Sequence, residues 1–349
     1  MSQTVLITGA AGFIGSHFIE VFYQAAPSFL KDANLVLVDD LSSGHASCIE
    51  VLKQMALEHG FPTPQFFKVN LLNEAELLEV FQKTNPSAVL HFAAKISVAE
   101  SVERPDFYFE NNVTGSQTLL KVMKAVQCTR VVFSSTAAVY GKVEDPKLAT
   151  KPLPETTPLK PLNPYGKTKL MMEEVIRAAS NEWGLNSIIF RYFNAAGASL
   201  SGRLGECHDP ETHLIPLLVR SAISGKSLSV FGTQYETRDG SCVRDYVHVA
   251  DLAAAHLLGL EKLFEPGATS SEVFNLGTDR GNTVLEVIEA AEVLTGKTIR
   301  KELKPARAGD SAVLIADSTR ARLELGWKPK YSSMHDILKT VFAWEKKNP

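Results

Sequence analysis

Residues 4–15 read TVLITGAAGFIG: a short apolar run followed by glycines at positions 9, 12 and 15. Thr4–Thr8 has the composition of a strand covered on both faces. The glycines mark a tight turn, and Gly12 to about Tyr23 reads as a helix. Strand, glycine turn and helix together predict a β-α unit with its turn at the carboxyl end of the strand.

The same rhythm continues outward from this unit. Asn34–Asp39, Gln65–Val69, Ala88–Phe92 and Arg130–Ser134 read as further strands, with helices at Glu74–Thr84 and Asp106–Val126. Strands alternating with helices predict an α/β fold with a doubly wound parallel sheet of Rossmann type. Residues 142–164 carry six prolines and read as a long loop. A helix from Tyr165 to about Trp183 and a strand at Ser187–Tyr192 follow. Beyond Ala195 the pattern is less regular, and residues 271–277 read as a late strand rejoining the sheet. The expected division is a nucleotide-binding domain over 1–194 and a smaller, mainly substrate-binding domain over 195–349. Segments from roughly 240–280 return to the first, and a ligand cleft between the two is expected.

Bulk properties narrow the function class. The 349 residues are 45% apolar and 21% charged with a net charge of -3, as in an ordinary globular protein. No strong positive field favours nucleic acid or an anionic membrane, and Lys346-Lys347 reads as a solvated tail. The four cysteines, Cys48, Cys128, Cys207 and Cys242, form no C-x-x-C pair, so neither a zinc site nor a redox dithiol is indicated. No signal-peptide pattern and no run of about 20 apolar residues is present, so the expected location is the cytoplasm.

Glycines are needed where backbone must turn tightly and approach a pyrophosphate, which then rests on a helix N-terminus. Gly9, Gly12 and Gly15 have that context, and Asp39 ends the second strand 24 residues after Gly15. A carboxylate there accepts hydrogen bonds from both ribose hydroxyls and repels a 2′-phosphate, which favours NAD over NADP. Asp39 also reads as a plain turn residue, since Asp40–Gly44 is turn-like. No Gly-Lys-Ser/Thr follows the glycines, which excludes an ATPase-type phosphate loop.

The run Tyr165-Gly-Lys-Thr-Lys169 places a phenol and an ammonium one helical turn apart. A free tyrosine has a pKa of about 10, too high for a base at neutral pH. A nearby ammonium and a cationic nicotinamide would favour the phenolate. Alone, the pair is a common helix-surface neighbour. Arg130–Thr136 (RVVFSST) adds a strand ending in hydroxyls, so Ser135 or Thr136 can hold a reacting hydroxyl and pass its proton to Tyr165.

Taken in order, GAAGFIG, VDDLSSG, HFAAKISV, FSSTAAVYG, YGKTK and RYFNAAGA resemble the extended short-chain dehydrogenase/reductases, and within them the UDP-glucose 4-epimerase family. VFG (Val230–Gly232), VRDYVHVADL (Val243–Leu252) and the Arg307–Asp310 stretch extend the likeness over nearly the whole chain. The resemblance implies a cytoplasmic homodimer that interconverts UDP-glucose and UDP-galactose. NAD would take a hydride from sugar C4 while Tyr165 removes the C4 hydroxyl proton, and a 4-keto sugar would turn over and be reduced on its other face. Lys169 would tune Tyr165 and hold the nicotinamide ribose, and Thr136 would bridge the hydroxyl and the phenolate. The implied NAD site is Gly9, Gly12, Phe13, Ile14 and Gly15 at the pyrophosphate, and Asp39, Asp40, Leu41, Ser42, Ser43 and Gly44 at the adenosine ribose. Asn70 and Leu71 lie by the adenine, and Phe92, Ala93, Ala94, Lys95, Ile96, Asn111 and Phe193 line the rest. The implied substrate site is Thr136, Asn194, His213, Arg244 and Arg307 around the sugar and diphosphate, Phe231 near the uracil and Asp310 on a ribose hydroxyl. Guanidinium forks suit a diphosphate.

Departures from the family pattern bear on specificity. Asn70 replaces a usual Asp, Lys95 is one position from the lysine of some relatives, and His213 stands where Asn is frequent. Leu314 replaces a bulky Tyr, so an N-acetylated sugar is an open alternative. UDP-xylose, UDP-glucuronate and UDP-N-acetylglucosamine remain alternative substrates, and a non-catalytic NAD-binding sensor remains an alternative role. Ala137 and Ala138 follow Thr136 where sugar dehydratases need an acid pair and glucuronate decarboxylases a Glu, which argues against both.

Overall fold

The computed structural model describes residues 3–143, 148–267, 271–307 and 311–348. The first half of the chain alternates β1 (Thr4–Thr8), α1 (Phe13–Ala25), β2 (Asn34–Asp39), α2 (Ala46–Glu58), β3 (Gln65–Lys68), α3 (Glu74–Thr84) and β4 (Ala88–His91). It continues through α4 (Val98–Glu103), α5 (Pro105–Tyr108), α6 (Gly115–Ala125), β5 (Arg130–Thr136), α7 (Pro164–Trp183) and β6 (Asn186–Tyr192). A seven-stranded sheet has the order Ser271–Leu276, β6, β5, β4, β1, β2, β3. β1 runs parallel to both β2 and β4, with Leu6 opposite Val36 and Val89. The direction of winding reverses between β1 and β4. In doubly wound sheets, ligands bind off the carboxyl ends of the strands at that reversal.

The strands read as continuous apolar runs because both faces are covered. Val5, Leu6, Ile7, Val36, Leu37, Val89 and Leu90 are all fully buried. α1 turns Phe18, Ile19 and Phe22 inward and ends at Ala26 in the left-handed conformation, whose N–H caps Phe22 O. Two elements depart from expectation. α2 follows the turn-like Asp40–Gly44 segment, which gave no helix signal of its own. The helix expected over Asp106–Val126 is interrupted, with α5 and α6 separated by a π-helical turn at Phe109–Thr114. Such turns recur at functional sites because they re-aim side chains.

The chain separates into two compact units. The first is Met1–Val139, Asn163–Arg191 and Ala253–Phe274; the second is Tyr140–Leu162, Tyr192–Leu252 and Asn275–Pro349. The proline-rich loop thus groups with the second unit, not with the 1–194 segment, and the return is 253–274 rather than 240–280. The reason is local: Leu153 bridges Ala316 in parallel, with Leu153 N donating to Ile315 O at 2.8 Å and Asp317 N to Leu153 O at 2.9 Å.

The second unit is more regular than its sequence reads. Helices Leu214–Ser224, Val284–Thr295 and Met334–Lys347 share a core that includes Leu218, Val219, Val287, Ile288, Ile337 and Leu338. Short strands fill the rest, pairing Asn194–Ala196 with Tyr246–His248 and Leu228–Phe231 with Lys301–Lys304. Val243–Arg244 pairs with both Asn282–Thr283 and Val313–Leu314. The four cysteines are free. Among the described residues, no helix is long and apolar enough to cross a membrane.

Candidate active site

The bend between β1 and α1 leaves no room for a side chain at Gly9 or Gly15. Gly9 has φ +69°, and a Cβ there would lie 2.6 Å from Ala93 N. A Cβ on Gly15 would lie 2.2 Å from Gly9 O, and one on Gly44 would lie 2.7 Å from the Ala11 methyl. α1 starts at Phe13 behind Gly12, with no side-chain cap and no acid in its first turn. Its first N–H groups and its positive dipole end therefore face whatever approaches the bend, which is the arrangement an anionic pyrophosphate requires.

Asp39 closes β2 beside this bend. It is 9% exposed, and its two oxygens accept Ala11 N at 2.9 Å and Leu41 N at 2.8 Å. Burial raises its pKa, while the two backbone bonds act to lower it. Each oxygen keeps a lone pair for a further donor. Asp40 accepts from Ser42 N at 2.8 Å and from Asn70 Nδ2 at 3.0 Å. The Asn70 departure therefore has a local explanation: an amide can donate to Asp40 where a carboxylate would repel it. Lys95 reaches from the segment after β4 to the Ser42 and Ser43 hydroxyls, 2.9 Å from each. Its ammonium thus joins the two loops that flank the glycine bend.

Tyr165 and Lys169 lie in the first two turns of α7, which begins with Pro164 after an Asn163 side-chain cap on Gly166 N at 2.8 Å. Both are buried, Tyr165 at 9% and Lys169 at 4% exposure. The Thr136 hydroxyl at the end of β5 hydrogen-bonds Tyr165, so this part of the expected constellation assembles. Burial shifts both groups toward their neutral forms. Burial pushes Tyr165 up to about 12, with the Thr136 bond pulling it down. Burial pulls Lys169 down to about 7, with Glu173 acting to raise it. The Lys169 ammonium donates to Ser134 O at 2.8 Å and lies 4.9 Å from the Phe133 ring centre. Desolvation is the largest influence on both groups, so burial alone favours the neutral phenol.

The second unit holds the residues expected at a nucleotide diphosphate. Asn194 N donates to Asp245 O at 2.9 Å, and Arg244 Nη1 donates to Val243 O at 2.9 Å and Ser311 O at 2.8 Å. The Arg307 guanidinium lies over the Phe231 ring, 3.9 Å from its centre. Leu314 pairs with Arg244 in a short parallel ladder. Phe193 packs 6.4 Å from Tyr140, centre to centre. His213 contacts Glu206 through Nδ1. Asp310 lies outside the described residues.

A model of the NAD dependent epimerase/dehydratase family matches residues 5–277. The chain belongs to this family. It is 42% identical over 347 residues to the UDP-glucose 4-epimerase of Lactobacillus helveticus, covering 99% of this chain and 98% of that protein. Its structure resembles UDP-glucose 4-epimerase from Brucella ovis in complex with NAD, with a TM-score of 0.86, 39% identity and 97% of each chain covered. It also resembles UDP-glucose 4-epimerase from Bifidobacterium longum in complex with NAD+ and UDP, with a TM-score of 0.89, 35% identity and 99% of each chain covered.

Within this epimerase/dehydratase framework the chain has supporting residues that its sequence does not single out. Asn112, on the π-helical turn, accepts Lys95 N at 2.8 Å, donates to Lys95 O at 3.0 Å and reaches Thr168 Oγ1 at 3.2 Å. It ties the segment after β4 to α7, and its neighbour Asn111 donates to it at 2.9 Å. Glu173 is one turn beyond Lys169 and fully buried. It accepts Ser135 Oγ at 2.6 Å, Arg191 Nε at 2.9 Å and Nη2 at 2.6 Å, and Arg177 Nη2 at 2.8 Å. The i, i+4 spacing from Lys169 was the available signal; the Arg191 partner on β6 is visible only in three dimensions.

Proposed function

We propose that this chain is a UDP-hexose 4-epimerase that interconverts UDP-glucose and UDP-galactose with NAD. The observation that carries the reading is full-length likeness to UDP-glucose 4-epimerases together with Tyr165, Lys169 and Thr136 gathered at the end of β5. Gly9, Gly12, Phe13, Ile14 and Gly15 would hold the NAD pyrophosphate, and Asp39 to Gly44 with Asn70 and Leu71 the adenosine. Phe92 to Ile96, Asn111 and Phe193 would complete that site. NAD supplies the acceptor and then the donor for the C4 hydride, and its cationic ring favours ionised Tyr165.

The chain's own groups do the rest. Thr136 orients the C4 hydroxyl and relays its proton to Tyr165, within hydrogen-bond reach. Lys169, held by Ser134 O, carries the nicotinamide ribose and adds positive charge near the phenol. Asn194, Arg244 and Arg307 balance the diphosphate charge, Phe231 stacks near the uracil, His213 offers its second ring nitrogen, and Asp310 binds a ribose hydroxyl. Leu314 is smaller than the Tyr of some relatives, which supports acceptance of N-acetylated sugars as an alternative.

A homodimer in the cytoplasm is the assembly and location this reading carries. Val98 and Val102 on α4 and Met171 on α7 expose apolar side chains suited to a partner helix. Incubating the purified protein with UDP-galactose, UDP-N-acetylgalactosamine and UDP-xylose, with products read by NMR, tests the function. Conversion of UDP-galactose without added NADH is expected. Binding of NAD with no turnover of any sugar would instead identify a sensor.

A further inference from the structure

The segment Gly205–His213, GECHDPETH, leads into helix Leu214–Ser224 and gathers two carboxylates and two imidazoles. One ligand atom from each of Glu206, His208, Glu211 and His213 lies within 4.8 Å of all the others. His208 Nδ1 is 3.3 Å from Glu206 Oε1 and 3.7 Å from Glu211 Oε1. His213 Nδ1 is 3.9 Å from Glu211 Oε1 and in direct contact with Glu206. The carboxylates are the buried members, with side chains 4% and 2% exposed, and the imidazoles form the more open side.

Ion pairing accounts for part of this cluster. Burial alone would lower the His208 pKa, but hydrogen bonds to Glu206 and Glu211 hold it up to about 9. Pairing leaves one atom unexplained. Glu211 Oε1 accepts Thr212 N at 2.8 Å and His213 N at 2.9 Å, whereas Oε2 of the same carboxylate is buried with no hydrogen-bond partner. A buried, unpartnered carboxylate oxygen is costly and calls for a ligand.

We propose that Glu206, His208, Glu211 and His213 bind one divalent first-row transition ion, with zinc the best match. Two carboxylates balance the charge of a dication. Imidazole nitrogen with carboxylate oxygen is a donor set that zinc accepts, while magnesium and calcium prefer oxygen alone. Bonds of about 2.0–2.2 Å place tetrahedral ligands about 3.3 Å apart. The observed separations of 3.3, 3.7 and 3.9 Å need only side-chain adjustment to meet that spacing. Four protein ligands leave no open position, so the ion is structural, pinning this segment to the start of helix Leu214–Ser224. Cysteine pairs, the usual sequence sign of zinc, are absent from this segment; its sign is instead the pattern E-x-H-x-x-E-x-H.

The test is independent of epimerase activity. The full-length protein is stripped with chelator and titrated with cobalt(II), followed by visible absorption, zinc competition and melting temperature. One cobalt per chain is expected, with the intense visible bands of a four-coordinate site, displacement by zinc and a raised melting temperature. His208→Gln and Glu206→Gln should each weaken cobalt binding by more than about tenfold while the far-ultraviolet dichroism is retained. The proposal is overturned if the wild-type protein shows no saturable one-to-one binding. It is equally overturned if folded His208→Gln binds cobalt as the wild type does; that variant decides the matter should Glu206→Gln not fold.

Discussion

Burial opposes the role proposed for Tyr165, because the chain's own groups leave the phenol at about 12. In the proposed function the cationic ring of NAD would supply the charge that favours the phenolate. Tyr165→Phe is expected to bind NAD normally and to lose turnover by about a hundred- to ten-thousand-fold, measured by coupled assay. Turnover within a few-fold of wild type would remove Tyr165 from the mechanism. Lys169 gives a pH prediction. Its pKa is about 7 in the folded protein and about 10.4 in an unfolded chain. Between those values the unfolded chain holds more protons, so this group makes unfolding free energy rise with pH; that contribution is lost as pH falls through about 7. Urea denaturation at about pH 7 and about pH 9 should show a rise in the wild type that Lys169→Met lacks. At this scale the sequence was informative for groups whose spacing follows chain geometry, such as Tyr165 with Lys169. It was silent on Asn112, whose partners come from other elements, and for Glu173 it offered only the spacing from Lys169, not the Arg191 partner on β6.

At the scale of elements, the β1–α1 bend and the α7–β5–β6 contact carry the proposed site. Gly15→Ala drives a methyl into Gly9 O, which is backbone and cannot swing aside. The bend must open, at a cost of about 1–3 kcal/mol and with loss of most NAD affinity, measured by denaturation and by fluorescence titration. Glu173→Ala leaves Arg191 buried without its carboxylate, and a loss of about 3–5 kcal/mol in unfolding free energy is expected. A loss below about 1 kcal/mol, within the ordinary surface range, would show that water already screens that pair. The strands of the parallel sheet were legible because covered strands read as apolar runs bounded by turns. α2 was not legible, since the turn signals of Asp40–Gly44 masked its start. Nor was the π-helical turn, because its sequence keeps helical composition throughout.

For the molecule as a whole, the doubly wound sheet follows from the order of elements, and the glycine bend falls at the reversal between β1 and β4. The division into units was less legible. A single boundary near 194 misses the 140–162 excursion, which is held by Leu153 against the segment that follows Leu314, through a pairing with Ala316 far along the chain. Long-range pairing by short strands leaves almost no periodic trace. The proposed function turns on one hydride that leaves sugar C4 and returns to it within the same molecule. The most direct measurement uses UDP-galactose deuterated at C4, with the NAD-loaded protein in ordinary water. UDP-glucose that keeps its deuterium at C4 with no net consumption of NAD is the predicted result. Deuterium replaced by solvent hydrogen at C4 would contradict it.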